Sequence, residues 1–256
     1  MISRFFQFNR KICYFLEAFL PQAKINLLER FEKIVSGYMN SRFSNRVVDI
    51  GGGKNCYIAK YKLPHLKTKI IAVDISSDEL DHNTDVDEKI VADAVEIDKY
   101  FNSEKSEKVD IITSRFLLEH LYDVEKFIVN SRKILNPGGV MIHLLPSRYS
   151  VFSLINQFLP NALAKKLLYF FKPETVGFGG FKSYYDKCYY SALLKIFVKN
   201  GFDIKENWCY YNSSQYFNFF VPLYLLNAFY EFFVYLFGIK NLCSHFIIVA
   251  RKNDMQ

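Results

Sequence analysis

The sequence predicts an α/β fold, doubly wound around a mainly parallel sheet, and three observations carry that prediction. Short apolar runs alternate with helix-compatible runs at regular intervals from residue 46 to residue 145. The first apolar run, residues 47–50, passes directly into Gly51, Gly52 and Gly53. Glycines permit φ > 0 and let a ligand approach the backbone closely. A second run, residues 69–74, ends in Asp74, a carboxylate 23 residues beyond Gly51. That spacing, about 20 residues, is where nucleotide-binding sheets hold a ribose diol.

The remaining elements follow in order. Residues 12–37 read as helical, with Ile25, Leu28, Phe31, Ile34 and Val35 at three- and four-residue spacing. Pro21 suits a first turn and Ser36-Gly37 a terminus. Residues 54–60, after the glycines, are helix-compatible; a helix start there would present free N–H groups and a positive dipole end. Residues 75–80 open a short capped helix, stopped by turn chemistry at 82–85. Residues 89–92 form a third strand leading to Asp93-Ala94, and residues 108–113 a fourth. Asp123 caps a helix through Leu135, residues 136–139 make a turn, and residues 140–145 are the fifth strand. Beyond it lie helix-like runs at 151–159 and 161–171, a loop at Gly177-Phe178-Gly179-Gly180, and a helix at 186–200 closed by Gly201. Two more strands are read at 202–211 and 244–251.

The chemistry of the first turn narrows the ligand. Asp49 stands two residues before Gly51, where its charge would repel a pyrophosphate. Cys56 occupies the place of the third glycine in a nicotinamide fingerprint. A cofactor with a positive amino group and no phosphate suits this turn better. The run Asp49-Ile50-Gly51-Gly52-Gly53-Lys54-Asn55 resembles the acid-x-Gly-x-Gly-x-Gly motif of class I S-adenosylmethionine (SAM)-dependent methyltransferases, of the type 11-like group. Asn55 replaces the last glycine, and asparagine tolerates the left-handed region better than most residues. Ser114–Leu121 is similar to the family's motif after strand four, and Leu135-Asn136-Pro137-Gly138-Gly139 before a strand is a further likeness.

The resemblance implies a Rossmann-like, seven-stranded sheet whose last strand is inserted antiparallel, with a helical, aromatic-rich cap. It implies three regions: a helical cap at 1–45, a SAM-binding core at 46–145, and a substrate-side region at 146–256 that includes strands six and seven and an apolar helical insertion at 216–237. It assigns SAM to Asp49, Gly51, Gly52, Gly53, Asp74 with Ile75, Asp93 with Ala94, and Arg115. Asp93 would accept a hydrogen bond from the adenine amino group. Phe116, Tyr184 and Tyr185 would line the acceptor pocket. His120, just after the strand-four motif, is the candidate base; a helix-capping or core role is the alternative. His143 falls inside strand five and reads as structural. His245 opens the last strand and reads as remote. No metal site is expected.

Composition sets outer limits. The chain of 256 residues has a net charge of +7, 26 Phe, 18 Tyr and one Trp. Positive charge favours anionic partners without choosing among them. The basic residues are dispersed, so no nucleic acid is expected. Five scattered cysteines suit a reducing cytoplasm rather than a disulfide framework. Between Tyr216 and Phe237 Glu231 is the sole charge, yet a crossing would separate two strands that belong to one sheet. Two readings of this segment stand: a helix buried as a lid or in a homodimer interface, and a helix resting in the inner face of a membrane. No Asn/Asp-Pro-Pro-Tyr box follows strand four. The acceptor classes left are a small molecule, a glycan or its lipid-linked precursor, and a lipid-like molecule. A nicotinamide-dependent oxidoreductase and a non-catalytic SAM-fold scaffold are the alternatives.

Overall fold

Strands β1 (Ser44–Ile50), β2 (Lys67–Asp74), β3 (Glu88–Val91), β4 (Val109–Arg115), β5 (Leu135–Pro146), β6 (Phe202–Tyr210) and β7 (His245–Lys252) form one sheet in the order β3-β2-β1-β4-β5-β7-β6. They are drawn from a computed structural model that describes residues 2–41, 44–101, 107–173, 176 and 182–253. The first five strands pair in parallel, and β7 runs antiparallel between β5 and β6. The carboxyl ends of β1 to β5 therefore share one edge with the start of β7. The expected architecture, including the inverted last strand, is the observed one.

Helices close both faces. On one, α2 (Leu27–Met39) sets Phe31, Val35 and Met39 against Val47, Ile70, Ile111 and Ile142. On the other, α5 (Val124–Ile134) and α8 (Tyr190–Lys199) bring Phe127 and Phe197 onto Ile112, Met141 and Ile248. The short helix α3 (Ser77–Asp81) flanks the β2–β3 end, and α4 (Asp98–Phe101) packs beside α5. Ser76 caps α3 through Glu79 N–H and Asp123 caps α5 through Lys126 N–H, as their sequence positions predicted.

Four local expectations are corrected. Residues 54–60 form turns and a 3₁₀ turn at Ala59–Tyr61, not a helix. Three glycines before them and Pro64 after them disfavour helix, and Cys56 and Ile58 plug into the core under α2 instead. Asn55 is not left-handed; Gly51 and Gly53 supply the positive φ (74° and 44°). The run read over 12–37 divides near Pro21, but its second part is only a turn at Pro21–Ala23 before α2, which starts at Leu27 and runs through Gly37 to Met39, while α1 (Ile2–Glu17) begins well before residue 12. The 186–200 helix begins only at Tyr190, because Tyr185 and Lys187 adopt positive φ and the Asp186 carboxylate is used to accept the N–H of Val124. In addition, β5 extends through the expected turn at 136–139. The glycine loop expected at 177–180 lies outside the described residues.

A helical cap lies beyond the carboxyl edge. It comprises α1, α6 (Val151–Phe158), α7 (Asn161–Phe171) and α9 (Val221–Leu236). The polar stripe of α9 is turned inward: Tyr224, Asn227 and Glu231 are buried, while Tyr235 of the same stripe is exposed. Glu231 accepts from Ser213 N–H (2.7 Å), Ser213 Oγ (2.6 Å) and Ser214 Oγ (2.6 Å). Among the described residues no helix is long and apolar enough to cross a membrane.

Candidate active site

The carboxyl edge divides into a polar half over β1–β3 and an apolar half over β4, β5 and β7. In the polar half, the three glycines turn tightly back on β2. Gly51 and Gly52 donate their N–H groups to Val73 O at 2.7 and 3.2 Å. A Cβ added at Gly52 would meet Ala72 Cβ at 2.8 Å, and one at Gly51 would meet Leu117 Cδ1 at 3.0 Å. The contact at Gly52 is shorter than real Cβ contacts and Gly51 sits at φ 74°, so the loop demands glycine at both and leaves its outer face bare. Asn83, buried beneath it, donates to Gly52 O and Gly53 O.

Three carboxylates surround this loop. Asp74, at the end of β2, accepts from Gly53 N–H (3.1 Å) and Ser76 N–H (3.0 Å). Each of its oxygens keeps a second acceptor direction. Ile75 beside it is 74% exposed, a bare apolar surface next to an acid. Asp93 holds the turn at Ala94–Glu96 through Val95 N–H and reaches Tyr122 Oη at 3.4 Å. Asp49, inside β1, is 1% exposed and neither of its oxygens has a close hydrogen-bond partner. Burial pushes its pKa up to about 7, against weaker lowering by Cys56, Arg115 and Tyr57 around it. Arg115, at the end of β4, lies over the Tyr57 ring (4.3 Å) and pairs with Glu32 of α2 (3.6 Å). Glu32 also accepts from Tyr61 Oη and pairs with Lys60, so α2 clamps this side of the site.

The apolar half holds a cavity of about 410 Å³. Its floor is the edge of the sheet: Phe116, Glu119, His120, Pro146 and His245. Its walls come from α6, α7, the segment before α9 and the first turn of α9, including Ile155, Leu167, Phe171, Phe219 and Leu223. Phe116 sits at φ 57° with its N–H on Leu144 O, which turns the chain off β4 toward the cavity. His120 Nδ1 lies 2.8 Å from Lys182 O. A carbonyl accepts only, so Nδ1 carries the proton and Nε2 is the basic nitrogen. Nε2 stands 3.9 Å from Glu119 Oε1. Glu119 is 4% exposed, its Oε2 lacks a partner, and burial raises its pKa to about 8. Burial lowers the pKa of His120, so the imidazole is the neutral form near pH 7.

The structure thus brings Asp49, Gly51, Gly52, Gly53, Asp74, Ile75, Asp93, Ala94 and Arg115 to one half of the edge, and Phe116, His120 and Tyr185 to the other. Tyr184 does not line the cavity: it is 45% exposed and lies under Lys182, while its N–H and that of Tyr185 bond Glu119 O. His245 is not remote. It lines the cavity 5.8 Å from the Phe116 ring, because an antiparallel strand begins where its parallel neighbours end. His143 is fully buried in β5, hydrogen-bonded to Ser114 Oγ at 2.7 Å. Glu119, Asn83, Tyr57 and Glu32 were not singled out for the site from sequence. Glu119 carried the one usable signal, an acid adjoining the candidate base.

A family model described as a methyltransferase domain matches residues 7–207. Among curated proteins no sequence matches the chain. Solved structures do. A SAM-dependent methyltransferase from Archaeoglobus fulgidus is 18% identical, with a TM-score of 0.54 over 88% of this chain and 92% of that one. The cyclopropane synthase MmaA2 from Mycobacterium tuberculosis is 16% identical, with a TM-score of 0.53 over 88% and 84%. A phosphoethanolamine N-methyltransferase 2 from Haemonchus contortus, in complex with phosphomonomethylethanolamine and S-adenosylhomocysteine, is 16% identical, with a TM-score of 0.52 over 88% and 53%. At these identities the likeness carries the fold.

Proposed function

The chain belongs to the methyltransferase-domain family as a SAM-dependent enzyme, and from that premise we propose that it methylates a hydroxyl group on an acceptor with an apolar, lipid-like body. Membership sets aside the nicotinamide alternative. The observation that carries the acceptor reading is the cavity, whose lining is mostly Leu, Ile, Phe and Tyr side chains, with Asn156, Asn161, Lys165 and Lys172 among them, while its floor holds the Glu119–His120 pair.

The polar half fits SAM. An unpartnered buried carboxylate at Asp49 suits an ammonium group, and a loop that a Cβ would obstruct at Gly51 and Gly52 leaves backbone open to a ligand. Asp74 would hold the ribose diol, Ile75 and Ala94 would flank the adenine, and Asp93 would meet its amino group. Arg115, held by Glu32 and Tyr57, would balance the charge beside Asp49. SAM supplies a methyl group on an activated sulfonium and leaves as S-adenosylhomocysteine.

What remains for the chain is position, dryness and one proton. Leu117 adjoins both Gly51 and the Phe116 turn, so the two halves of the edge meet there. The apolar walls would hold the acceptor's body and exclude water, which gives orientation most of its catalytic value. A hydroxyl must lose its proton as its oxygen is methylated. His120 Nε2 is the acceptor for that proton, and Glu119 Oε1, 3.9 Å from it, is an oxygen toward which the resulting imidazolium can turn its N–H. The five free cysteines support a reducing, cytoplasmic setting.

The test is incubation of the protein with methyl-labelled SAM and a total lipid extract, followed by solvent partition. Label should enter the organic phase, and His120→Ala should slow its entry by about 10²–10⁴-fold while S-adenosylhomocysteine affinity stays constant. Label found only in water-soluble products, or full activity in His120→Ala, would overturn the reading.

A further inference from the structure

Helix α9 is built inside out. Its polar residues Asn227 and Glu231 are buried and hydrogen-bonded to Ser213 and Ser214, whereas Leu226, Phe229, Leu236 and Phe237 are each at least 60% exposed. Helix α1 packs against it through Asn9 on the Val221 N–H and Cys13 on Asn218 O. That helix exposes Phe8 and Phe15, and Phe19 just beyond its end is exposed too, each at 65% or more. Phe158, at the end of α6, is 84% exposed, and α7, with apolar residues at seven of eleven positions besides Tyr169, buries none of them fully. Single exposed apolar residues are ordinary, but neighbouring helices that all present them mark an interaction surface.

We propose that the outer face of α1, α6, α7 and α9 seats this enzyme on an anionic membrane, in the plane of the headgroups rather than across the bilayer. Charge on these helices selects that occupant. Together they contain two acids, Glu17 and Glu231. Both are committed to the interior: Glu17 to Asn212 and Gln215, and Glu231 to Ser213 and Ser214. The exposed charges left on the four helices are basic: Arg4 and Lys11 on α1, Lys165 and Lys166 on α7. Paired face to face, two copies would bring these like charges together. Anionic headgroups would attract them.

Continuity with the cavity points the same way. Ile155 and Leu167 line the cavity and are also exposed, at 42% and 37%, so its wall and the outer apolar face share side chains. Phe171 and Phe219, stacked at 3.9 Å, line the cavity and pack on Phe6 of α1. A lipid-like acceptor would pass between bilayer and cavity along apolar surface. Docking itself stands on the helix faces alone and holds even if the acceptor is soluble; only this route rests on the acceptor reading.

The experiment is co-sedimentation of the full chain with dioleoylphosphatidylcholine vesicles, with and without about a third dioleoylphosphatidylglycerol, at low and high salt. Binding should require the anionic lipid and weaken with salt. The triple variant L226E/F229E/F237E should lose binding by about tenfold or more with S-adenosylhomocysteine affinity unchanged. The charge variant K11E/K166E leaves every apolar residue in place, and should lose the preference for anionic vesicles. Failure to bind either vesicle would overturn the proposal, as would undiminished binding in both variants. A dimer in analytical ultracentrifugation that L226E/F229E/F237E dissolves, with no vesicle binding, would assign the face to a second copy of the chain. Unchanged S-adenosylhomocysteine affinity in that case would leave the methyltransferase reading intact.

Discussion

The side-chain amide of Asn83, fully buried, donates to the carbonyl oxygens of both Gly52 (3.3 Å) and Gly53 (3.0 Å). A residue that ends α3 as turn chemistry is also the prop of the glycine loop. Its own Oδ1 accepts from Asp85 N–H, so the prop is tied to the next turn.

Replacing it should therefore act on the loop. Asn83→Ala leaves two carbonyl oxygens without their buried donor and should cost about 2 kcal/mol of stability. S-Adenosylhomocysteine affinity should fall about tenfold, because the loop must then be ordered on binding. Urea denaturation and calorimetry measure the two effects. A destabilised variant with unchanged affinity would mean that the contacts of Gly51 and Gly52 with Val73 are enough to shape the loop.

Glu231 offers a sharper test of the cap. Its carboxyl is 4% exposed and takes three hydrogen bonds, while burial raises its pKa. Glu231→Ala strands Ser213 and Ser214 and should cost about 3 kcal/mol, the scale of buried hydrogen bonds to a carboxylate. Glu231→Gln preserves an acceptor and should cost less. Equal melting temperatures for Glu231→Ala and the parent would show that α9 is not anchored by this network.

How much of this was legible in the sequence depended on whether the signal was local. The glycine loop, the acid after β2 and the caps at Ser76 and Asp123 are statements about neighbours in the chain, and each appears in the fold. The inverted last strand came from the resemblance. Its consequence, that His245 must start at the ligand edge, was available from topology and was missed. Glu119 could not be ranked from sequence, because its burial is imposed by the Tyr184–Tyr185 segment bonding its carbonyl from 65 residues away. Tyr224, Asn227, Glu231 and Tyr235 recur at spacings of three, four and four along α9, a narrow polar stripe, but a period does not say which side faces in. Here Ser213 and Ser214 decide it, by offering hydroxyls that only Glu231 and Asn227 can use.

Asp49 ties the fold to a pH dependence. Burial, the largest influence on it, raises its pKa from 3.8 to about 7. The folded apoprotein thus holds a proton there that the unfolded chain releases above pH 3.8. Stability from this site is full below that value and falls as pH rises toward 7. An ammonium-bearing ligand reverses the preference, since it favours the ionised carboxylate. Binding of S-adenosylhomocysteine, which carries the same amino group as SAM, should then expel a proton and tighten by roughly tenfold between pH 5.5 and 7. Asp49→Asn should bind more weakly and show no such slope. Calorimetry in buffers of different ionisation enthalpy reads the proton release directly. A flat affinity in the parent protein across this range would mean that the ligand's amino group lies elsewhere, and that Asp49 serves the sheet rather than the cofactor.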